Sequence, residues 1–101
     1  MYAIVRQFEY QPRMLADAAP ALAEIGQLHS RQPGYAGSVT VEDGRRLIVL
    51  NLWDSEYAAA AGREAIGPRV QRLLEPLMAG ASELIAAGAV QADDRAETMR
   101  R

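Results

Sequence analysis

The run Leu47-Ile48-Val49-Leu50-Asn51-Leu52-Trp53 constrains the fold of this chain more than any other stretch. Successive side chains of a strand point to opposite faces of its sheet. Leu47, Val49, Asn51 and Trp53 therefore share one face, and Ile48, Leu50 and Leu52 share the other. Both sets are apolar apart from the Asn51 amide, so this strand needs cover on both sides. Each large aliphatic side chain left in water forfeits roughly 1.5–3 kcal/mol of burial. A chain of 101 residues can place helices over one face, but it lies near the lower end of what builds a self-sufficient core. The second face calls for a partner, and a second copy of the same sheet is the natural one.

The rest of the chain supplies that sheet and its helices. Tyr2 to Tyr10 alternates with period two and is rich in aromatic and β-branched residues, which predicts a first strand ended by Gln11-Pro12-Arg13. A helix follows. Asp17 as its N-cap would put Pro20 in the first turn, where a missing N–H costs nothing; a start nearer Met14 would put a kink at Pro20. Ala18, Leu22, Ile25 and His29 form its stripe, and Gln32-Pro33-Gly34 stops it. Tyr35 to Glu42 is a second strand, joined to the Leu47–Trp53 run by an Asp43-Gly44 hairpin signal. Asp54 or Ser55 caps a second helix to about Ala65, and Gly67-Pro68 is expected to break it and start another. Val70, Leu73, Leu74, Leu77 and Met78 give that segment an apolar stripe, with Pro76 kinking its end.

Glu83 to Val90 can be read as helix for its alanines, but Gly88 and the lack of a helical stripe favour a strand. The order is then β-α-β-β-α-β, the ferredoxin-like α+β arrangement of a four-stranded antiparallel sheet with helices on one face. Residues 1–91 form one domain, and residues 92–101 are expected to be a frayed, disordered tail.

Composition removes several function classes. A net charge of −2 leaves no electrostatic footprint for nucleic acid or an anionic membrane. Without cysteine there are no disulfides, thiolate metal sites or cysteine nucleophiles. No apolar run approaches the ~20 residues of a membrane span, and no signal-peptide pattern opens the chain, so a cytoplasmic location is expected. Histidine–carboxylate clusters for a metal, glycine-rich phosphate loops and serine–histidine motifs are missing as well.

Pro33-Gly34-Tyr35 before a strand, the acidic-glycine hairpin, a third strand ending in Trp53, and Asp54-Ser55-Glu56-Tyr57 opening a helix together resemble the antibiotic biosynthesis monooxygenase family. The resemblance runs from about residue 2 to residue 91. It implies a dimeric α+β barrel, a homodimer formed through the sheet faces. It also implies a superfamily of cofactor-independent oxygenases of phenols and quinols, heme-degrading oxygenases and proteins without assigned activity. Heme degradation in that superfamily uses a first-strand asparagine, a tryptophan ending the third strand, and a histidine on the following helix. Trp53 matches, but Arg6 and Gln7 stand where the asparagine belongs and Gly62, Arg63 and Glu64 where the histidine belongs. These residues argue against heme chemistry.

Cofactor-free oxygenation of a small phenolic or quinol-type aromatic asks for less: a site that binds the anion, favours it and excludes water. Arg6 would hold the phenolate, Asn51 would donate to its oxygen, and Trp53 and Tyr57 would form the wall, with Tyr35 and His29 as further binding residues. Each has a plainer reading. Asn51 could bond a neighbouring backbone or a bulge, Trp53 could anchor the core, and Arg6 could form a salt bridge across the sheet or dimer. Tyr35 and Tyr57 could simply pack, and His29 could cap its helix. His29 is still the only side chain whose ordinary pKa suits proton transfer at neutral pH. The alternative to an enzyme is a non-catalytic homodimer of the same fold that binds a small ligand or stabilises a partner.

Overall fold

A computed structural model describes residues 1–11 and 15–94, with only the backbone described at 15–17. The elements are β1 (Tyr2–Glu9), α1 (Leu15–Ser30), β2 (Tyr35–Asp43), β3 (Arg46–Trp53), α2 (Glu56–Leu74), a single 3-10 turn (Glu75–Leu77) and β4 (Glu83–Ala89). The strands form one antiparallel sheet in the order β2-β3-β1-β4, the ferredoxin-like arrangement that the sequence predicts. Glu83 to Ala89 is a strand, so tertiary pairing with β1 outweighs the helical leaning of its alanines. No helix of the described residues is long and apolar enough to cross a membrane. Residues 95–101 of the expected tail lie outside the described residues, and Gln91 to Asp94 carries neither helix nor strand.

Two local expectations are corrected. First, α1 has begun by Leu15, in keeping with the earlier of the two expected starts, so Asp17 is not its N-cap and Pro20 lies inside the helix. The high helix propensity of Ala18, Ala19 and Ala21 around Pro20 supports the longer element. Second, α2 runs through Gly67-Pro68 as one helix of 19 residues. Proline clashes with the Cβ of the residue before it, and Gly67 has none. The stripe of Ala59, Gly62, Ile66, Val70 and Leu73 also continues across the proline, so packing holds the two halves in line. Ser55 caps this helix, its hydroxyl accepting from Ala58 N at 3.0 Å. The hairpin signalled by Asp43-Gly44 is present, and Asp43 pairs with Arg46, so its two-residue loop is Gly44-Arg45. Gly44 alone has a positive φ, +63°, as a type II′ turn requires at its first central position.

Cross-strand register assigns every side chain to a face. Tyr2, Ile4, Arg6 and Phe8 of β1 lie opposite Trp53, Asn51, Val49 and Leu47 of β3. Phe8, Tyr10 and Leu47 are buried against Leu22, Val49, Leu74 and Met78, which puts this parity under the helices. The Tyr10 hydroxyl locks its edge, shared between the Glu42 carboxylate at 2.7 Å and the Gly44 carbonyl at 3.0 Å. The opposite face carries Val5, Val39, Val41, Ile48 and Leu50. Val39 and Val41 are 47% and 50% exposed in the single chain, so an apolar face stands open where a partner sheet is expected. Leu52 is the exception on that face and is buried.

Candidate functional site

The site lies on the helix-facing side of the sheet, at the end where β3 passes into α2. Trp53 ends β3 and is 3% exposed. Its benzo edge fits over Gly62 of α2: a Cβ added at Gly62 would lie 2.7 Å from Trp53 Cζ3 and 3.2 Å from Cζ2, with Cη2 nearer still. Gly34 allows a second close approach, since a Cβ there would lie 2.6 Å from the Ala58 side chain. The Gly34 carbonyl accepts from Asp54 N at 2.7 Å, tying the start of β2 to the end of β3.

A β-bulge at Ala36 then decides what Tyr35 can touch. Tyr35 pairs with Trp53 and Gly37 with Leu52, so two steps on β2 answer one on β3. Gly37 takes the strain, with a φ of +119°. The bulge puts Tyr35 on the same face as Ser38, Thr40 and Glu42. Tyr35 meets Trp53 edge-on with ring centroids 5.2 Å apart, and His29 of α1 lies 5.5 Å from Tyr35 and 6.1 Å from Trp53. His29 Nδ1 donates to the Ile25 carbonyl at 2.9 Å. A carbonyl can only accept, so Nδ1 carries the proton and the neutral ring keeps its lone pair on Nε2.

Arg6 and Asn51 complete the face. Ile4 and Ser38 flank Asn51 on the neighbouring strands, and Arg6 sits one pair further along, opposite Val49. The diagonal separation of two such positions is about 7–8 Å, within reach of one small ligand. Both side chains are half-buried. Neither forms a hydrogen bond or ion pair with any described residue of the chain, so within the chain Arg6 has no salt bridge across the sheet and Asn51 no backbone bond. No side-chain nitrogen or oxygen among the described residues is sealed from solvent without a partner. The guanidinium and the amide therefore open onto accessible space.

Of the six residues singled out in the sequence, five share this face or its roof: Arg6, Asn51, Trp53, Tyr35 and His29. Tyr57 stands apart on the first turn of α2, 85% exposed. Ser38, a hydroxyl beside Asn51, escaped the sequence reading because the bulge at Ala36 shifts the phase of β2. Among the described residues no group of histidine, cysteine or carboxylate side chains is gathered to hold a metal ion.

No family model matches the chain, and no curated protein does. Solved structures do. One from Nitrosomonas europaea, provisionally named an antibiotic biosynthesis monooxygenase, superposes with a TM-score of 0.77 at 14% identity, covering 91% of this chain and 100% of its own. Another antibiotic biosynthesis monooxygenase gives a TM-score of 0.76 at 11% identity over 91% of this chain and 100% of the other. The chain has the antibiotic biosynthesis monooxygenase fold. A cofactor-independent oxygenase from Streptomyces nogalater has it too, with a TM-score of 0.75 at 15% identity over 91% of this chain and 94% of that one. That oxygenase was solved with an asparagine replaced by alanine. At these identities the likeness to antibiotic biosynthesis monooxygenases is one of fold.

Proposed function

We propose that the protein is a cofactor-independent monooxygenase of a phenolic or quinol-type aromatic, working as a homodimer joined through its open sheet faces. The observation that carries this reading is the pair Arg6 and Asn51: a cation and an amide donor, half-buried, free of partners among the described residues, beside the wall of Trp53 and Tyr35. An oxygen-sensitive phenol needs little else. His29 Nε2, with its lone pair, accepts the phenolic proton. Arg6 and Asn51 hold the anion that forms, as preorganised charge and dipole. The anion passes one electron to dioxygen, and the radical and superoxide join into a peroxide. In a phenol whose keto tautomer carries a ring CH2, as in anthrone, loss of water from that peroxide leaves a new carbonyl, so the CH2 carbon and O2 become C=O and H2O. All the reducing electrons come from the substrate.

Oxygen uptake with a panel of hydroquinones and anthrones tests the proposal. Uptake that falls in Arg6→Ala and Asn51→Ala supports it, and no uptake from any member of the panel refutes it. A second reading has its own observation. Trp53 is held against Gly62 as a core anchor, which suits a non-catalytic dimer that binds a small ligand. That reading predicts quenching of Trp53 fluorescence by the same compounds without consumption of oxygen.

A further inference from the structure

A groove of about 510 Å3 opens beside the candidate site, bordered by Tyr2, Ser55, Glu56, Ala87 and Ala89. Its volume falls within the roughly 300–1,000 Å3 typical of small-molecule sites. Register shows that it continues the site. Tyr2 lies between Trp53 and Ala89, and Ile4 lies between Asn51 and Ala87, all on the helix-facing side. From β3 to β4 is two strand spacings, about 10 Å, on the order of the length of a fused aromatic system. The principal neighbour of β4 is β1, and Ala87 and Ala89 are exposed and too small to fill the space above them. Two apolar groups stand exposed around this end of the fold, Met1 on the border of the groove and the Tyr57 ring next to Glu56. Glu56 brings a carboxylate, while Ser55 already accepts from Ala58 N and retains a hydroxyl proton to donate.

We propose that this groove is a second subsite of the candidate site. It takes the part of an aromatic substrate that extends beyond the reacting ring. Ala87 and Ala89 set the size admitted, and Glu56 accepts from hydroxyl groups there while repelling a carboxylate. The inference rests on the aromatic-substrate reading above.

Trp53 is the only tryptophan of the chain, so its fluorescence reports binding without turnover when the titration is anaerobic. The probes are hydroquinone, naphthohydroquinone, its ring carboxylate, and anthrone. Ala89→Phe is expected to weaken naphthohydroquinone and anthrone about tenfold or more while hydroquinone stays within about twofold. Glu56→Gln is expected to improve the carboxylate about fivefold relative to naphthohydroquinone. Phenylalanine suits an exposed strand position. Ala87→Phe gives the same readout if circular dichroism shows Ala89→Phe misfolded. Equal loss of all probes, no loss of any, or no quenching of the wild type by anthrone overturns the subsite. An unchanged carboxylate preference in Glu56→Gln overturns the charge selection. Oxygen uptake is measured separately: selective binding without uptake refutes the oxygenase and leaves the subsite standing.

Discussion

Gly62→Ala probes the contact that builds the wall of the site. In a helix interior alanine is favoured over glycine by about 0.8–1.0 kcal/mol, so propensity alone predicts stabilisation. The structure predicts the reverse. The new methyl would lie 2.7 Å from Trp53 Cζ3 and 3.2 Å from Cζ2, and the atom it meets is part of a rigid indole that is 3% exposed. A flexible chain end could swing aside, but this ring cannot. Overpacking of this kind costs about 1–3 kcal/mol, and the rigid neighbour puts it at the upper end. The net loss is then about 1–2 kcal/mol, a fall in melting temperature of roughly 5–10 °C for a domain of this size. Gly26→Ala is the matched control. Gly26 is exposed on α1, with nothing within 4 Å of an added Cβ, so the helical gain should appear undiminished. Thermal and urea melts followed by far-UV circular dichroism compare the two. A Gly62→Ala variant as stable as wild type, beside a stabilised Gly26→Ala, would refute the close packing of α2 on Trp53.

Three further outcomes follow from the geometry. The Glu42 carboxylate that accepts from Tyr10, aided by burial and by its negative charge, raises the phenol above its ordinary pKa. A group whose folded pKa is raised contributes stability that is whole below the unfolded value, near 10, and is lost as pH rises through the folded value. Wild type should therefore lose more stability than Tyr10→Phe between about pH 9 and 12 in urea melts; parallel pH profiles would contradict this. Leu50→Glu, which sets a charge in the open apolar sheet face, should shift a dimer to monomer in sedimentation; an unchanged dimer would place the interface elsewhere. Arg6→Ala should cut oxygen uptake on the order of a hundredfold while barely moving the melting temperature, since Arg6 forms no ion pair with a described residue; a large loss of stability would make it structural.

The sheet was legible because its signals are periodic and local. The two apolar parities of β3, the alternation of β1 and the hairpin between β2 and β3 mark three strands, and the fourth, ambiguous by its own residues, follows from the β-α-β-β-α-β order that it completes. The misreadings sit at proline and glycine. Pro20 and Pro68 read as helix boundaries, yet each is carried inside a helix by neighbours whose contribution appears only in three dimensions. The site was half legible for a related reason. Parity within β3 ties Asn51 to Trp53, but it leaves open which parity meets the helices, and the packing of Phe8, Tyr10 and Leu47 on Leu22 and Leu74 decides that. Parity within β2 fails at Ala36, where one extra residue turns Tyr35 onto the face of Ser38 and into contact with Trp53. A second irregularity, in β4 between the partners of Val5 and Arg6, likewise has no signature in the sequence. Bulges are set by how strands twist and pair, so a single strand read alone does not reveal them.

Asn51 offers the sharpest separation of function from stability. It faces the helices between Ile4 and Ser38, half-buried, and its amide bonds no described residue. An unpaired polar group wholly withdrawn from water costs about 1–3 kcal/mol in protein mutational data, and the half-buried amide, still open to solvent, bears part of that cost. Natural sequences keep such conflicts mainly where function needs them. Asn51→Leu removes the amide, adds apolar surface beside Ile4 and Trp53, and suits a strand that is aliphatic from Leu47 to Leu50 and at Leu52. It should raise the melting temperature by about 4–8 °C, corresponding to about 1 kcal/mol. The same change removes the donor to the bound phenolate, so oxygen uptake should fall by two to three orders of magnitude, roughly the loss of one oxyanion donor. Opposite signs in the two assays mark a residue retained for its chemistry. A destabilised Asn51→Leu protein would instead show that the amide is bonded within the fold, and Asn51 would leave the site together with the case for it.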